Sequence, residues 1–179
     1  VTSSGGVNIV NGGFPAGNEF QITKLSDDEN IISAIWLETK DAEEKSIVLV
    51  STDAYVLKFP VKQIRTSNSG AGTIKGMNLT EGASIVGASV TDAENAQIVS
   101  CTYKTIKVTE ISEIPARNRN AKGVILQRLH KDDEVLSAFA SEKVVANKGE
   151  RSLRLPEATE RASSGANRAG TNVELGHFN

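Results

Sequence analysis

A repeat of 50 residues constrains this chain more than any other feature. Residues 48–88 and 98–138 align without a gap, so that Leu49 falls opposite Val99 and Ile85 opposite Val135. A fixed period of this size indicates one supersecondary unit used several times, each copy covering the apolar face of its neighbour. We therefore expect equivalent residues of the repeat, such as Ile85 and Val135, to be buried alike.

The repeat divides into two half-units that alternate along the chain. The first half occurs near residues 48–64, 98–114 and 144–156, and the second half near 20–34, 71–88 and 121–138. On this pattern the chain begins with a second half and ends just after a first half. Residues 1–160 form the repeat region, and residues 161–179, rich in Ser, Gly, Asn and Ala, form a loop-like C-terminal tail.

Each half-unit has the composition of β-strands. The runs at 46–51 and 97–101 are β-branched and bounded by turn residues, and the runs at 55–61 and 104–111 alternate apolar with polar residues. The runs at 73–79 and 123–129 alternate less cleanly, and the runs at 85–90 and 135–139 are the fourth strands. Four strands in about fifty residues predict an all-β, propeller-like fold, and the alternative is a meander sandwich whose two halves match by accident.

Charge alternates in step with the repeat, although the net charge is only −2. Residues 26–53 carry eight acids against two bases, residues 54–78 carry four bases and no acid, and residues 101–130 carry six bases against two acids. In a stacked array the same phase of every repeat lies on the same side. The pattern predicts one basic edge that binds a polyanion and one acidic edge, and the alternative is an ordinary solvated surface.

The acidic edge should contain the equivalent turns at 27–29 and 132–134, which we interpret as solvated hairpin turns. A basic edge would suit duplex DNA, because Lys and Arg on successive units would meet successive phosphates and release counterions. No base-reading element is evident, so binding should not depend on sequence and should favour bent DNA.

Other features of the sequence set limits on the function. Cys101 is the single cysteine, which rules out a disulfide within the chain, and no run of eighteen apolar residues suggests a membrane span. The two histidines, His130 and His177, have no ligand spacing around them, so we expect no metal site, no cofactor and no catalytic residue in this chain. No signal peptide is visible, which favours a cytoplasmic location.

One segment resembles a known family. Residues 111–124 carry Ser-Glu-Ile-Pro at 112–115, then a loop from Arg117 to Gly123-Val124, and residues 129–138 add a strand ending in Leu and an acidic turn. This order resembles a blade of the C-terminal domain of the A subunit of DNA gyrase and topoisomerase IV. The ending Leu-Pro-Glu-Ala at 155–158, followed by a Ser-Gly segment, most resembles actinobacterial topoisomerase IV-type A subunits.

The resemblance implies a β-pinwheel, a propeller-like disc whose blades exchange a strand with their neighbours, here partial or open. It implies a non-catalytic domain of an ATP-dependent type II topoisomerase that bends duplex DNA around its basic rim and presents it to the catalytic core. The partners implied are double-stranded DNA, the ATPase B subunit, which hydrolyses ATP, and the rest of the A subunit, in the bacterial cytoplasm with the nucleoid. The alternative is a propeller-type module that binds an acidic protein.

The predicted DNA-binding residues are lysines and arginines of the repeat. The densest run that matches the family pattern is the loop at 117–122. The full predicted set is Lys58, Lys62, Arg65, Lys75, Lys104, Lys107, Arg117, Arg119, Lys122, Arg128, Arg151 and Arg154.

Overall fold

The computed structural model describes residues 1–12, 17, 19, 21–40, 42–91 and 96–141, together with the backbone of two further strands, Val145–Lys148 and Arg151–Arg154. The described part consists of short strands, loops and two single turns of 3-10 helix, Val61–Gln63 and Ile111–Glu113. The all-β prediction is therefore confirmed.

The strands are numbered in chain order. They are β1 (Gly6–Val7), β2 (Ile9–Val10), β3 (Thr23–Lys24), β4 (Ser46–Ser51), β5 (Tyr55–Pro60), β6 (Thr66–Ser67), β7 (Ala71–Gly72), β8 (Ile74–Lys75), β9 (Ile85–Thr91), β10 (Gln97–Thr102), β11 (Ile106–Glu110), β12 (Val124–Ile125), β13 (Val135–Ser141), β14 (Val145–Lys148) and β15 (Arg151–Arg154).

Two sheets with the same strand arrangement form the centre of the structure. The first is a four-stranded sheet of order β12-β5-β4-β9, and the second is a three-stranded sheet of order β11-β10-β13. Every pair within them is antiparallel. In each sheet the strand that opens the unit lies in the middle, because its β-branched residues are buried on both faces.

Neighbouring units are joined by strand exchange. The fourth strand of the first sheet is β12, which belongs to the second unit and pairs Val124 with Val56 of β5. In the same way, β8 of the first unit pairs Ile74 with Val7 near the start of the chain. The sequence predicted strands at 73–79 and 123–129, but each is confined to two residues because the exchanged strand lies only briefly beside its neighbour.

The first ten residues occupy the position of a first half-unit. Thr2 bridges Ile31 as Ser51 pairs with Ile85, and β1 accepts β8 as β5 accepts β12. The parallel pair of β2 with β6 likewise corresponds to the bridge between Lys58 and Ala116. The described chain therefore stacks a short N-terminal unit, a complete first unit and a second unit.

The core consists of two apolar layers on opposite faces of the first sheet. One face packs Leu49, Leu57 and Phe59 against Val7 and Met77 of the N-terminal side. The other face packs residues such as Val48, Val50 and Val56 against the second sheet. Each large side chain buried in this way contributes about 1.5–3 kcal/mol, so the layers between units hold the array together.

Equivalent residues of the repeat are buried alike, as expected. Ile85 is 1% exposed and Val135 is 0% exposed, and both begin the last strand of their unit. The pair Ile64 and Ile114 is also buried, at the end of the 3-10 turn of each unit. The repeat thus places the same phase of each unit against the preceding unit.

The gapless alignment is wrong by one residue at the start of the unit. Leu49 pairs with Leu57 in the first sheet, whereas Ser100, and not Val99, pairs with Lys107 in the second. The two copies differ at the hairpin turn. The Oγ of Ser51 accepts from the amide of Tyr55, four residues on, while the Oγ1 of Thr102 accepts from the amide of Thr105, three residues on.

A slip of one residue moves every side chain of a strand to the other face. It escaped the sequence comparison because the central strands are apolar on both faces, so either register aligns one buried residue with another. Leu49 and Val99 are both buried, yet they point toward opposite neighbours.

Candidate nucleic-acid interface

The basic loop of the second unit is anchored on the first unit. The backbone amide of Arg117 donates to the carbonyl of Lys58 over 2.8 Å, and the amide of Asn120 donates to the carbonyl of Gly76 over 2.7 Å. The amide of Arg119 donates to the side chain of Gln63 over 2.7 Å. Asn120 has a φ of 70°, a left-handed conformation that asparagine tolerates better than most residues.

The side chains of this loop contact Lys75 and Tyr55 of the first unit. The guanidinium of Arg119 donates to the carbonyl of Lys75, and the ammonium of Lys75 donates to Asn78 Oδ1 over 2.7 Å. The ammonium of Lys122 lies 4.0 Å from the centroid of the Tyr55 ring, within the range of a cation–π contact. Gln63 and Tyr55 therefore position two of the predicted cations, a role that no sequence pattern indicated.

Six of the predicted bases gather where the two units meet, and we call them the junction cluster. They are Lys58, Lys62, Lys75, Arg117, Arg119 and Lys122. Lys62, Lys75, Arg117 and Lys122 are exposed, and within the described residues no carboxylate forms an ion pair with any of the six. The cluster therefore concentrates positive charge where the two units meet.

Lys58 is a half-buried member of the junction cluster. Its ammonium donates to the carbonyl of Ile111 over 2.8 Å, and burial lowers the pKa of Lys58 from its ordinary value. Lys58 thereby ties the first unit to the 3-10 turn of the second unit. We expect its charge to act on a bound anion from behind the exposed bases.

Two predicted basic residues lie outside the junction cluster and are exposed. Arg65 is exposed and precedes β6, which pairs with β2 of the N-terminal unit. Arg128 is exposed at the position equivalent to Asn78. Arg151 and Arg154 lie at the two ends of β15, and their side chains are outside the described part of the structure.

Lys104 lies at the acidic turn and not with the junction cluster. Its ammonium donates to the carbonyl of Lys131 over 2.9 Å, and the neighbouring amide of Tyr103 donates to Asp133. The expected separation into a basic and an acidic edge is therefore incomplete at Lys104, because the hairpin turn after β10 contacts the acidic turn of its own unit.

Lys107 is buried, which removes it from any surface that binds DNA. It is 1% exposed, and its ammonium donates to the carbonyl of Leu126 over 2.6 Å. Burial lowers the pKa of Lys107, and the negative charge of Glu113 opposes this shift in part. The alternation of β11 places Lys107 on the face that meets the first sheet, where the first unit has Leu57.

Lys107 is one of four buried polar residues that occupy positions at which the first unit has apolar residues. The second unit has buried Ser100, Lys107, Thr109 and Gln127 where the first unit has Leu49, Leu57, Phe59 and Met77. Ser100 donates to Gln127 over 2.9 Å, but Thr109 Oγ1 and Gln127 Nε2 have no hydrogen-bond partner among the described residues. Unpaired buried polar groups cost stability, so this layer is weaker than its counterpart in the first unit.

Replacing Lys107 with methionine should stabilise the protein, because a thioether of similar length needs no desolvation of charge. We expect the free energy of unfolding to rise by about 1 kcal/mol in urea titrations at pH 7. Lys104→Met, which removes an exposed charge, should change it by less than about 0.5 kcal/mol. A loss of stability in Lys107→Met would show that the bond to Leu126 outweighs the burial of the charge.

The lowered pKa of Lys107 also predicts a pH dependence. As pH rises toward the ordinary lysine value of 10.5, the folded state loses its proton first, so the unfolded state binds more protons and stability rises with pH. The free energy of unfolding of the wild type, measured relative to Lys107→Met, should increase in this alkaline range.

A large apolar groove lies on the opposite side of the first unit from the junction with the second. It has a volume of about 720 Å³ and runs between residues 7–10 and residues 31–37, beside Ile47 and Val90. Trp36 is 80% exposed at its rim. Among the described residues there is no group of three or more His, Cys, Asp or Glu side chains placed to hold a metal ion, and no helix long and apolar enough to cross a membrane.

The chain is similar to a set of topoisomerase domains. The family model of the DNA gyrase C-terminal domain, a β-propeller, matches residues 45–92 and again residues 105–142. The DNA gyrase A protein of Kosmotoga olearia is 28% identical over 116 residues, which are 64% of this chain and 14% of that protein. The chain thus spans a small part of the curated relative that it matches.

Solved structures show the same fold. The C-terminal domain of DNA topoisomerase IV superposes with a TM-score of 0.80 at 19% identity, over 97% of this chain and 55% of that one. The E. coli ParC C-terminal domain superposes with a TM-score of 0.70 at 15% identity, over 98% of this chain and 75% of that one. The actinobacterial resemblance stays a prediction. With its repeat matched twice by the family model and its units joined by exchanged strands, the chain is similar in sequence to the C-terminal domain of DNA gyrase and has the fold of the C-terminal domains of topoisomerase IV.

Proposed function

We propose that this chain is a DNA-binding domain of a type II topoisomerase A subunit that bends duplex DNA along its basic side. The observation that carries the proposal is the junction cluster, in which bases of two successive units share one surface without a carboxylate partner among the described residues. Exposed ion pairs are worth only about 0–1 kcal/mol each, so the unpaired bases gain more from binding a polyanion.

The arrangement favours contacts with DNA phosphates over contacts with the edges of nucleobases. The described residues include no α-helix to enter a major groove, and three of the six cations of the cluster stand on one loop that is anchored by backbone hydrogen bonds. In the proposed mode the cations of successive units lie along a curved path, so that a duplex bound to them would gain contacts when it bends. Arg65 on the N-terminal side and Arg128 beyond the second unit would extend this path, with Arg151 and Arg154 after them.

The proposed context is a larger enzyme. The domain would deliver the bound DNA to the A-subunit cleavage core and would work with an ATPase B subunit, in the bacterial cytoplasm at the nucleoid. The chain itself would take no part in bond cleavage. Support comes from the family match and from the relatives, whose names are those of gyrase and topoisomerase IV proteins.

The direct test is a titration of duplex DNA at several salt concentrations. We expect binding that does not depend on sequence, with a log–log salt slope of about −0.9 for each phosphate neutralised. Glu134→Lys, in the exposed acidic turn, should leave the affinity unchanged or raise it slightly, since it removes a negative charge outside the cluster. Fluorescence anisotropy with a short duplex measures both quantities.

Two results would count against the proposal. Binding without a salt dependence would exclude a phosphate track. An absence of DNA binding, combined with salt-dependent binding of an acidic polypeptide such as polyglutamate, would favour the alternative of a module that binds an acidic protein.

A further inference from the structure

The first unit meets the N-terminal unit through the same backbone contacts by which the second unit meets the first. The amide of Gly70 donates to the carbonyl of Ile22 over 3.1 Å. One unit later, the amide of Asn120 donates to the carbonyl of Gly76 over 2.7 Å. These hydrogen bonds match the residues of one contact to those of the other, and we call the contact between the first unit and the N-terminal unit the N-terminal junction.

A side-chain contact repeats in the same way, but without its charge. The hydroxyl of Ser69 donates to the carbonyl of Gln21. One unit later, the guanidinium of Arg119 donates to the carbonyl of Lys75. Four cations of the junction cluster thus have uncharged counterparts at the N-terminal junction, namely Gln21 for Lys75, Ser67 for Arg117, Ser69 for Arg119 and Gly72 for Lys122.

Lys24 supplies a cation to the N-terminal junction from the N-terminal unit. Its backbone lies opposite Gly72 in the parallel pair of β3 with β7, and it stands where Asn78 stands one unit later. Asn78 accepts from Lys75 within the junction cluster. Lys24 is exposed, and among the described residues no carboxylate forms an ion pair with it. It is not one of the residues predicted from the sequence, where it stands just before the acidic stretch at 26–53.

Arg65 is a second cation on this side of the first unit. It is exposed and directly precedes β6, in which Thr66 pairs with Ile9 of the N-terminal unit. In the described part of the chain Arg65 also has no carboxylate in an ion pair with it. An exposed cation of this kind can neutralise a phosphate and release a counterion.

We propose that Lys24 and Arg65 form a second DNA contact at the N-terminal junction, weaker than the junction cluster one unit away. This contact rests on the proposed function, because it adds to a duplex already bound at the junction cluster. Six cations hold the duplex at one junction and two hold it at the other. The bound duplex therefore has a firmly held part and a loosely held part.

Salt titrations with variants of the N-terminal junction test this contact. Lys24→Ala should reduce the log–log salt slope by about 0.9, and Lys24→Ala with Arg65→Ala by about 1.8, since each lost phosphate contact removes about 0.9. Lys40→Ala is the matched control, because Lys40 is an exposed cation that pairs with Glu38 over 2.9 Å, and it should leave the slope unchanged. An unchanged slope in the double variant, or equal reductions in Lys24→Ala and Lys40→Ala, would overturn the proposal.

Adding the missing charge gives the opposite test. Gln21→Lys combined with Ser69→Arg places at the N-terminal junction two of the cations that the junction cluster has, at positions that are exposed. The salt slope should steepen by about 1.8. A slope equal to that of the wild type would mean that the duplex does not reach this junction, which would also overturn the proposal.

Chemical labelling of lysines separates a failure of this proposal from a failure of the proposed function. Acetic anhydride modifies exposed lysines, and mass spectrometry of the digested protein measures each of them. A bound duplex should protect Lys24 and Lys122 and leave Lys40 unprotected. Protection of Lys122 without protection of Lys24 would overturn the second contact alone. Protection of neither lysine would contradict the junction cluster as well, and with it the proposed function.

Discussion

Replacing Arg117, Arg119 and Lys122 together with alanine should weaken binding to every duplex sequence and reduce the log–log salt slope by about three. Each side chain that loses a phosphate contact removes about 0.9 from the slope, and the three cations stand on one loop. Because none of the three side chains contacts a nucleobase in the proposed mode, the loss of affinity should be the same for every DNA sequence. Anisotropy titrations at several salt concentrations give both the affinity and the slope.

The fold should survive this triple substitution. The loop is held by backbone amides of Arg117 and Asn120, which alanine at 117, 119 and 122 leaves in place. The substitution removes the hydrogen bond from Arg119 to the Lys75 carbonyl and the cation–π interaction of Lys122 with Tyr55, both at the surface. We expect a change of no more than about 1 kcal/mol in the free energy of unfolding.

Lys104→Ala is the matched control for the triple variant. Lys104 is an exposed cation of the same unit, but its ammonium is bonded to the Lys131 carbonyl in the acidic turn. Its removal should leave the salt slope unchanged. If Lys104→Ala reduces the slope and the triple variant does not, the DNA path lies along the acidic turns and the junction cluster has another role.

Replacing Gly87 with alanine should cost about 2–3 kcal/mol of stability. A Cβ at Gly87 would lie 2.2 Å from the carbonyl oxygen and 2.9 Å from the carbonyl carbon of Ala138. These atoms belong to the backbone of β13, so β9 and β13 would have to move apart. Such a movement opens the apolar layer between the first and second sheets.

Gly72→Ala is the control for Gly87→Ala, because it also replaces a strand glycine with alanine but creates no such clash. Gly72 also lies in a strand and does not have a positive φ, and a Cβ there meets no heavy atom within 4 Å. Its replacement should change stability by less than about 0.5 kcal/mol in the same urea titration. Equal stabilities of the two variants would mean that the sheets do not approach as closely as the structure indicates.

The sequence by itself determined the class of fold and the period of the array. β-branched runs between turn residues specify short strands, and an apolar pattern that returns after 50 residues specifies stacked units. It also indicated that Ile85 and Val135 would be buried alike and that a loop rich in arginine would follow Pro115. These features depend on local composition and spacing, which a single sequence records.

Only the tertiary structure decided which residues share a surface. Strand exchange brings the loop of the second unit onto Lys75 and Tyr55 of the first, and an exchanged strand of two residues leaves no periodic signal in the sequence. The register of β10 depends on one residue in a hairpin turn, because both faces of the central strand are apolar. For the same reason a lysine in a basic stretch, Lys107, is enclosed between sheets while Lys122 is exposed: burial depends on the neighbouring unit, and residue type does not specify it.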